Sequence, residues 1–240
     1  MANATSRQRR VQLEREYKYL LDAEQYQAVW QKMRTAGELC LQENHIFDHD
    51  GRLGRARWML RLRLERTPIS PDAVTEAEIA RTVNDLAGSV TQAFMTLKGP
   101  RLTAPDGVVR PEVEEECSPH VGVAAAQAGR LTIDVIPPRI AGQLRHILGA
   151  KDGQSSFSSI VVFQNLRLRR RLPGRGHIEI ALDWTRAGDG RVRRELEIEW
   201  RPGSDRTVEK IMNELNTASF QPTTVSKLVW VLSSSARRQT

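Results

Sequence analysis

Leu13-Glu14-Arg15-Glu16-Tyr17-Lys18-Tyr19 is the stretch from which the fold can be read. With a side-chain period of two, Leu13, Arg15, Tyr17 and Tyr19 share one face, and Glu14, Glu16 and Lys18 share the other. A single strand of this kind is ordinary: its apolar face packs and its charged face is solvated. The sharper reading holds two carboxylates and an ammonium side by side in a pocket. Recurrence of the pattern elsewhere decides between the two.

It recurs on six more segments. Residues 57–65 set Trp58, Leu60, Leu62 and Leu64 against Arg57, Arg61 and Arg63. Residues 93–99 set Met95 and Leu97 against Thr96 and Lys98. Residues 109–117 place Arg110, Glu112, Glu114 and Glu116 on one side, and Pro111 marks an edge or irregular start. In 165–172, Arg167, Arg169 and Arg171 alternate with Leu166, Leu168 and Arg170. In 177–184, Glu179 and Asp183 oppose Ile178, Ile180, Leu182 and Trp184. In 194–200, Glu195, Glu197 and Glu199 oppose Leu196, Ile198 and Trp200. A further strand is predicted over 38–47.

Between these segments the apolar spacing predicts helices over 22–36, 119–129, 138–148, 203–218 and 223–232. The first carries Tyr26, Val29, Trp30 and Met33 on one face, and Gly37 stops it. Residues 67–91 read as a surface excursion containing a helix over 73–86. The helical stripes need an apolar surface to cover. A barrel with an apolar outside, wrapped by helices, and a lumen of Glu, Asp, Lys and Arg meets that need. The competing arrangement is a sandwich with its charges in water. A solvated face has no reason to sort its carboxylates and its arginines onto separate strands, and that sorting is visible here.

Composition narrows the partners. The 240 residues carry 36 Lys+Arg against 29 Asp+Glu, a net +7, which favours anionic ligands. Cys40 and Cys117 form no Cys-x-x-Cys pair, so reduced thiols in a cytoplasmic compartment are expected. The five histidines do not fall at metal spacing, and most of them read as surface residues. Residues 1–10 read as a basic arm without a signal-peptide core, 11–233 as one domain and 234–240 as a polar tail. No apolar run is long enough to span a membrane.

Clustered carboxylates bind hard cations such as Mg²⁺ or Mn²⁺ through oxygen. Clustered Arg and Lys bind phosphate. Together they describe a site for a metal–polyphosphate complex. A nucleic-acid backbone would need the cations but not the carboxylates, so nucleic acid is disfavoured as the main ligand.

The ordered motifs resemble the CYTH superfamily of triphosphate tunnel metalloenzymes. Glu14-x-Glu16-x-Lys18 resembles its ExExK motif. Asn44-His45-Ile46-Phe47-Asp48, Leu60-Arg61-Leu62-Arg63, Thr96-Leu97-Lys98-Gly99-Pro100 and Arg110-x-Glu112-x-Glu114 resemble the motifs that follow. Asp183, Glu195-x-Glu197 and Ser226-Lys227-Leu228 resemble the late ones. The long excursion at 67–91 and the His45-Ile46 pair depart from the pattern.

The resemblance implies an α+β fold built on an eight-stranded antiparallel β-barrel. It implies a small-molecule triphosphate substrate, held with Mg²⁺ or Mn²⁺. A monomer or homodimer is expected. The resemblance also implies that Glu14, Glu16, Glu195 and Glu197, with Asp183, hold the metal. Arg61, Arg63, Lys98, Arg110 and one or two of Arg167, Arg169 and Arg171 would bind phosphate. Lys18 and Lys227 would stand near the reacting phosphoryl group. Glu112, Glu114 and Glu179 would order the cations or join a second metal site, and Glu199 would lie beyond the metal shell. Inorganic triphosphate is the simplest substrate, since no base-binding pocket is legible. A cyclase making cyclic AMP, a thiamine or nucleoside triphosphatase, and a non-catalytic polyphosphate binder are the alternatives.

Overall fold

The structure is a computed structural model that describes residues 15–69, 89–100, 102–104, 107–109, 111–149, 156–172, 178–201 and 203–235. Glu14, Arg110 and the helix expected over 73–86 lie outside the described residues.

Among the described residues, twelve strands and six α-helices follow one another along the chain. They run β1 Arg15–Leu20, α1 Ala23–Met33, β2 Glu38–Asp48, α2 Arg52–Arg55, β3 Met59–Ile69, β4 Gln92–Lys98, β5 Leu102–Ala104, β6 Gly107–Val109 and β7 Glu112–Cys117. Then follow α3 Pro119–Ala128, β8 Arg130–Thr132, α4 Pro138–Leu148, β9 Ser156–Leu172, β10 Ile178–Ala187, β11 Val192–Trp200, α5 Asp205–Leu215, β12 Gln221–Pro222 and α6 Lys227–Ser235.

Eight long strands pair in the order β1-β11-β10-β9-β2-β3-β4-β7, every pair antiparallel. This is the expected eight-stranded arrangement. The sheet curls. Lys98 on β4 and Glu199 on β11 have four strands between them, roughly 24 Å on a flat sheet. Yet each lies within reach of the other's charge. Arg61 on β3 likewise feels Arg167 on β9 across the interior. Among the described residues the outer strands β1 and β7 share no backbone pairing, so the tunnel is left open along one seam. The β5–β6 ribbon reaches back to β1 beside that seam.

The hydrophobic core lies outside the barrel. Leu60, Leu62, Leu64, Met95, Leu97, Leu168, Leu182, Leu196 and Ile198 are buried on the outer face of the sheet. The helices cover them: α1 lies on β9, β10 and β11, α3 on β3 and β4, α4 on β4 and β7, and α5 on β11. The apolar stripe of α1 is the predicted one, with Tyr26, Val29, Trp30 and Met33 all buried. Its start is a capping box in which the Gln25 amide N–H donates to Asp22 Oδ1 at 2.8 Å and the Asp22 N–H donates to Gln25 Oε1 at 3.1 Å. Gly37 has a different role from the expected stop. A Cβ there would stand 2.6 Å from Leu168 Cδ1, so glycine lets the chain pass close to β9.

His120 and His146 are exposed, as expected of most of the histidines, and His45 is a buried exception. It is buried on the outer face of β2, where its Nε2 pairs with Glu43 Oε1 at 2.7 Å. Cys40 and Cys117 are free thiols, as expected. No described helix is long and apolar enough to cross a membrane.

One end of the lumen is capped. Val231 of α6 packs against the lumen-side residues Ile46, Phe163 and Ala187. Arg193 donates to the Val225 carbonyl at 2.7 Å and lies over the Trp230 ring, fastening the helix start to β11. This docking carries Lys227 inward.

Candidate active site

Strand register sets the depth of each charge. Along β11, Arg193, Glu195, Glu197 and Glu199 alternate into the lumen. On β1, Leu20 lies opposite Glu195, Lys18 opposite Glu197 and Glu16 opposite Glu199. On β10, Asp183, Ala181 and Glu179 lie opposite the same three glutamates. Small Ala181 leaves room beside Glu197.

Glu16, Glu197 and Glu199 each offer a carboxylate oxygen, and the three oxygens lie within 4.8 Å of one another. Lys18 bridges Glu16 at 2.8 Å and Glu197 at 3.0 Å, yet Glu199 still meets the repulsion of both carboxylates. Burial and repulsion from Glu197 and Glu16 push the Glu199 carboxyl up to about 8. An all-oxygen, multiply charged donor set suits a hard divalent cation, so the residues fit a metal of that class. Glu199 therefore stands inside the carboxylate cluster, whereas the sequence reading sets it beyond. Glu195 and Asp183 stand differently. Glu195 accepts from Arg193 and meets Lys227 at 3.1 Å. Asp183 takes Arg167 by two hydrogen bonds, 2.8 and 2.6 Å, and Lys227 at 2.7 Å. Both carboxylates are fully buried and engaged with cations.

Glu197 is the junction of the site. Its Oε1 accepts from Lys18 at 3.0 Å and Lys227 at 2.6 Å, and its Oε2 from Arg167 at 2.7 Å. Burial alone would raise its pKa, but these three cations hold it well below the usual carboxylate range. Lys227 is lowered by burial and raised further by Asp183, Glu197 and Glu195, so it remains a fixed positive charge. Lys18 follows the same logic, with Glu197 and Glu16 outweighing burial.

The opposite wall is cationic. Arg61 and Arg63 on β3 both reach Glu114 of β7, at 3.4 and 3.3 Å. Thr96 Oγ1 donates to Glu114 at 2.8 Å and accepts from Arg61 at 3.2 Å. Lys98 pairs with Glu112 at 2.8 Å. Glu112 and Glu114 are each 36% exposed at the side chain, unlike the buried carboxylates opposite. Burial and the charge of Arg61 lower Lys98. Burial and Arg63 lower Arg61 to about 10. These cations are crowded, and an anion placed among them relieves the crowding.

The three arginines of β9 share one face but not one depth. Arg167 is the innermost, Arg169 pairs with Glu38 at 3.1 Å, and Arg171 pairs with Glu179 at 2.8 Å on its exposed side. Burial pulls Arg167 down, but Asp183 and Glu197 raise it well above its ordinary value.

Several lumen residues escape the sequence reading. Glu38, Gln42 and Glu65 carry no motif signal, and neither do Asn165, Thr185 and Arg193. Parity with Arg167 would place Asn165 inside, and parity with Glu195 would place Arg193 there. No charge pattern marks β2.

Gly99 fixes the end of β4 that carries Lys98. A Cβ there would stand 3.0 Å from the Trp58 ring and 3.2 Å from Pro111 Cγ. Gly99→Ala is expected to cost about 1–3 kcal/mol by overpacking and to weaken substrate binding through displaced Lys98. Chemical denaturation and an apparent-affinity measurement check both, and an unchanged midpoint and affinity would refute the constraint.

With this geometry in place, comparison with known proteins is direct. The model of the CYTH domain family matches residues 12–226. The chain belongs to the CYTH family. Two solved structures share the CYTH chain's fold. HpAC1 from Hippeastrum is named only provisionally as an adenylyl cyclase and is described as revealing a dominant triphosphatase activity. It matches with a TM-score of 0.70 and 20% identity over 92% of this chain and 96% of its own. The PH1819 protein of Pyrococcus horikoshii OT3 matches with a TM-score of 0.51 and 18% identity over 92% and 99%. No curated protein matches this CYTH chain by sequence.

Proposed function

We propose that this CYTH protein is a divalent-metal-dependent hydrolase that splits inorganic triphosphate into pyrophosphate and orthophosphate. The observation that carries the reading is one lumen with two unlike walls. The carboxylates Glu16, Glu197 and Glu199 face the cations Arg61, Arg63 and Lys98, with Lys18, Arg167 and Lys227 between. The triphosphatase activity stated for HpAC1 points the same way.

Glu16, Glu197 and Glu199 would hold Mg²⁺ or Mn²⁺, with Glu14, two residues earlier in the sequence, as a further ligand. When bound, the cation supplies Lewis-acid stabilisation of phosphate charge and acidifies water. The remaining chemistry belongs to the chain. Arg61, Arg63 and Lys98 exchange the half-exposed carboxylates of Glu114 and Glu112 for phosphate oxygens. That exchange trades one anion for another, so little desolvation penalty arises. Arg110, which shares the sequence parity of Glu112 and Glu114, would join them. Arg167, Lys18 and Lys227 are anchored by buried carboxylates, so they meet the substrate already oriented. Their charge stabilises the negative charge that builds as the phosphoanhydride bond breaks. Glu195, Asp183 and Glu179 hold these cations in place; Arg169 and Arg171 extend the basic lining toward Glu38 and Glu179.

Product identification tests the proposal. The protein is incubated with triphosphate, ATP or thiamine triphosphate under Mg²⁺ or Mn²⁺. Equimolar orthophosphate and pyrophosphate from triphosphate is the expected result. Cyclic AMP from ATP, with triphosphate untouched, would establish a cyclase instead. Tight triphosphate binding without any turnover would leave a binding module.

A further inference from the structure

Four lumen residues take no part in the chemistry above, yet all are buried: Gln42 at 3% exposure, Glu65 at 1%, Asn165 at 2% and Thr185 at 0%. Burying polar groups is costly unless each finds a partner. Here each does, in one connected chain. Gln42 Nε2 donates to Glu65 Oε1 at 2.7 Å. Asn165 Nδ2 donates to Gln42 Oε1 at 3.0 Å and to Asp183 Oδ1 at 3.0 Å. Thr185 Oγ1 donates to Asn165 Oδ1 at 2.9 Å.

The chain has a direction. Glu65 accepts only, so Gln42 turns its NH₂ toward it and its oxygen toward Asn165. Thr185 claims the oxygen of Asn165, which sends the Asn165 NH₂ to Gln42 and Asp183. Each end stops at a carboxylate paired with an arginine. Glu65 stands in ion-pair contact with Arg63 Nε at 2.8 Å, outside hydrogen-bond geometry, and Asp183 holds Arg167 by two hydrogen bonds. The relay thus joins the cationic wall on β3 to the carboxylate wall on β10, through β2 and β9.

We propose that Asn165 and Gln42 are positioning residues that set the spacing between Arg63 and Arg167, and so match the pair to the phosphates of one short oligophosphate. The substrate named here rests on the triphosphatase reading. The positioning itself does not.

Asn165→Leu keeps the volume and removes every bond of the amide. Loss of a hydrogen bond to a charged group should raise the Michaelis constant for triphosphate about tenfold or more. The turnover number should fall as well, because Arg167 also steadies the charge that builds as the bond breaks. A second readout needs no substrate. The Arg167 Nε–H donates to Asp183, so its ¹⁵N resonance, assigned by its loss in Arg167→Lys, should exchange slowly with water. Asn165→Leu should remove that protection. Thr185→Val, nearly isosteric and the gentler change, should shift both readouts the same way by less. Wild-type Michaelis constant and wild-type Nε–H protection in the variants that fold would overturn the proposal. If the wild-type protein fails to cleave triphosphate, the functional reading falls, and the Nε–H exchange still decides the positioning role.

Discussion

Glu197→Gln is expected to lower metal-dependent turnover by about a hundredfold or more, the scale seen when one preorganised electrostatic group is lost. The carboxylate does two things at once. It supplies an oxygen to the cluster with Glu16 and Glu199. It also anchors Lys18, Lys227 and Arg167 within 3.0 Å. The glutamine keeps the shape but loses the charge, leaving three enclosed cations to repel one another. Removing one partner of a buried ion pair costs about 3–5 kcal/mol, so the variant should also unfold at lower denaturant. The pH dependence distinguishes this cause from a general packing fault. The folded carboxylate sits well below its ordinary value near 4.5. Its contribution to stability is therefore present above that value and lost as pH falls toward the folded value. Glu197→Gln should flatten this acid limb of the stability curve. Denaturant midpoints across pH 3–7, with turnover at saturating Mg²⁺, check both. A variant with wild-type turnover at saturating metal would remove Glu197 from the site.

The fold is legible in the sequence because charge and apolar parity alternate on seven of the eight long strands. Parity gives the face of a residue and says nothing of its depth. Glu195, Glu197 and Glu199 are equivalent by parity. The β1–β11 register sets Glu199 beside Glu16, and sets Glu195 beside Leu20 at the level of Lys227 and Asp183. Strands nearly 180 residues apart fix that register through packing and turns, which no local pattern displays. The same holds for Arg167, Arg169 and Arg171: a repetitive arginine strand becomes three distinct environments only when Glu38, Asp183 and Glu179 are placed around it. Strand β2 hides its lumen face for another reason. Cys40, Gln42, Asn44 and Ile46 carry no formal charge, so they look like any neutral strand. The relay through Gln42 becomes visible only when Glu65 and Asn165 arrive from the neighbouring strands.

Glu199 should make metal affinity depend steeply on pH. Its carboxyl, raised from 4.5 to about 8, keeps its proton in the folded protein where the unfolded chain has released it. The folded state therefore binds more protons between those two values. The stability from this group is fully present below pH 4.5 and is lost as pH rises through about 8. A divalent cation can take the Glu199 oxygen only when the proton leaves. Metal binding should thus release a proton below pH 8 and strengthen by up to about tenfold per pH unit there, levelling off above. Calorimetric Mg²⁺ or Mn²⁺ titrations in buffers of different ionisation heat, at pH 6, 7, 8 and 9, count the protons directly. Glu199→Gln separates the terms: it should raise the melting temperature of the metal-free protein at pH 9, by removing a repelled charge, while weakening metal binding and abolishing the pH slope. Metal affinity independent of pH between 6 and 8, or a Glu199→Gln protein that binds metal as the wild type does, would exclude Glu199 from the metal site. It would leave its raised carboxyl as a consequence of burial beside Glu197 and Glu16 alone.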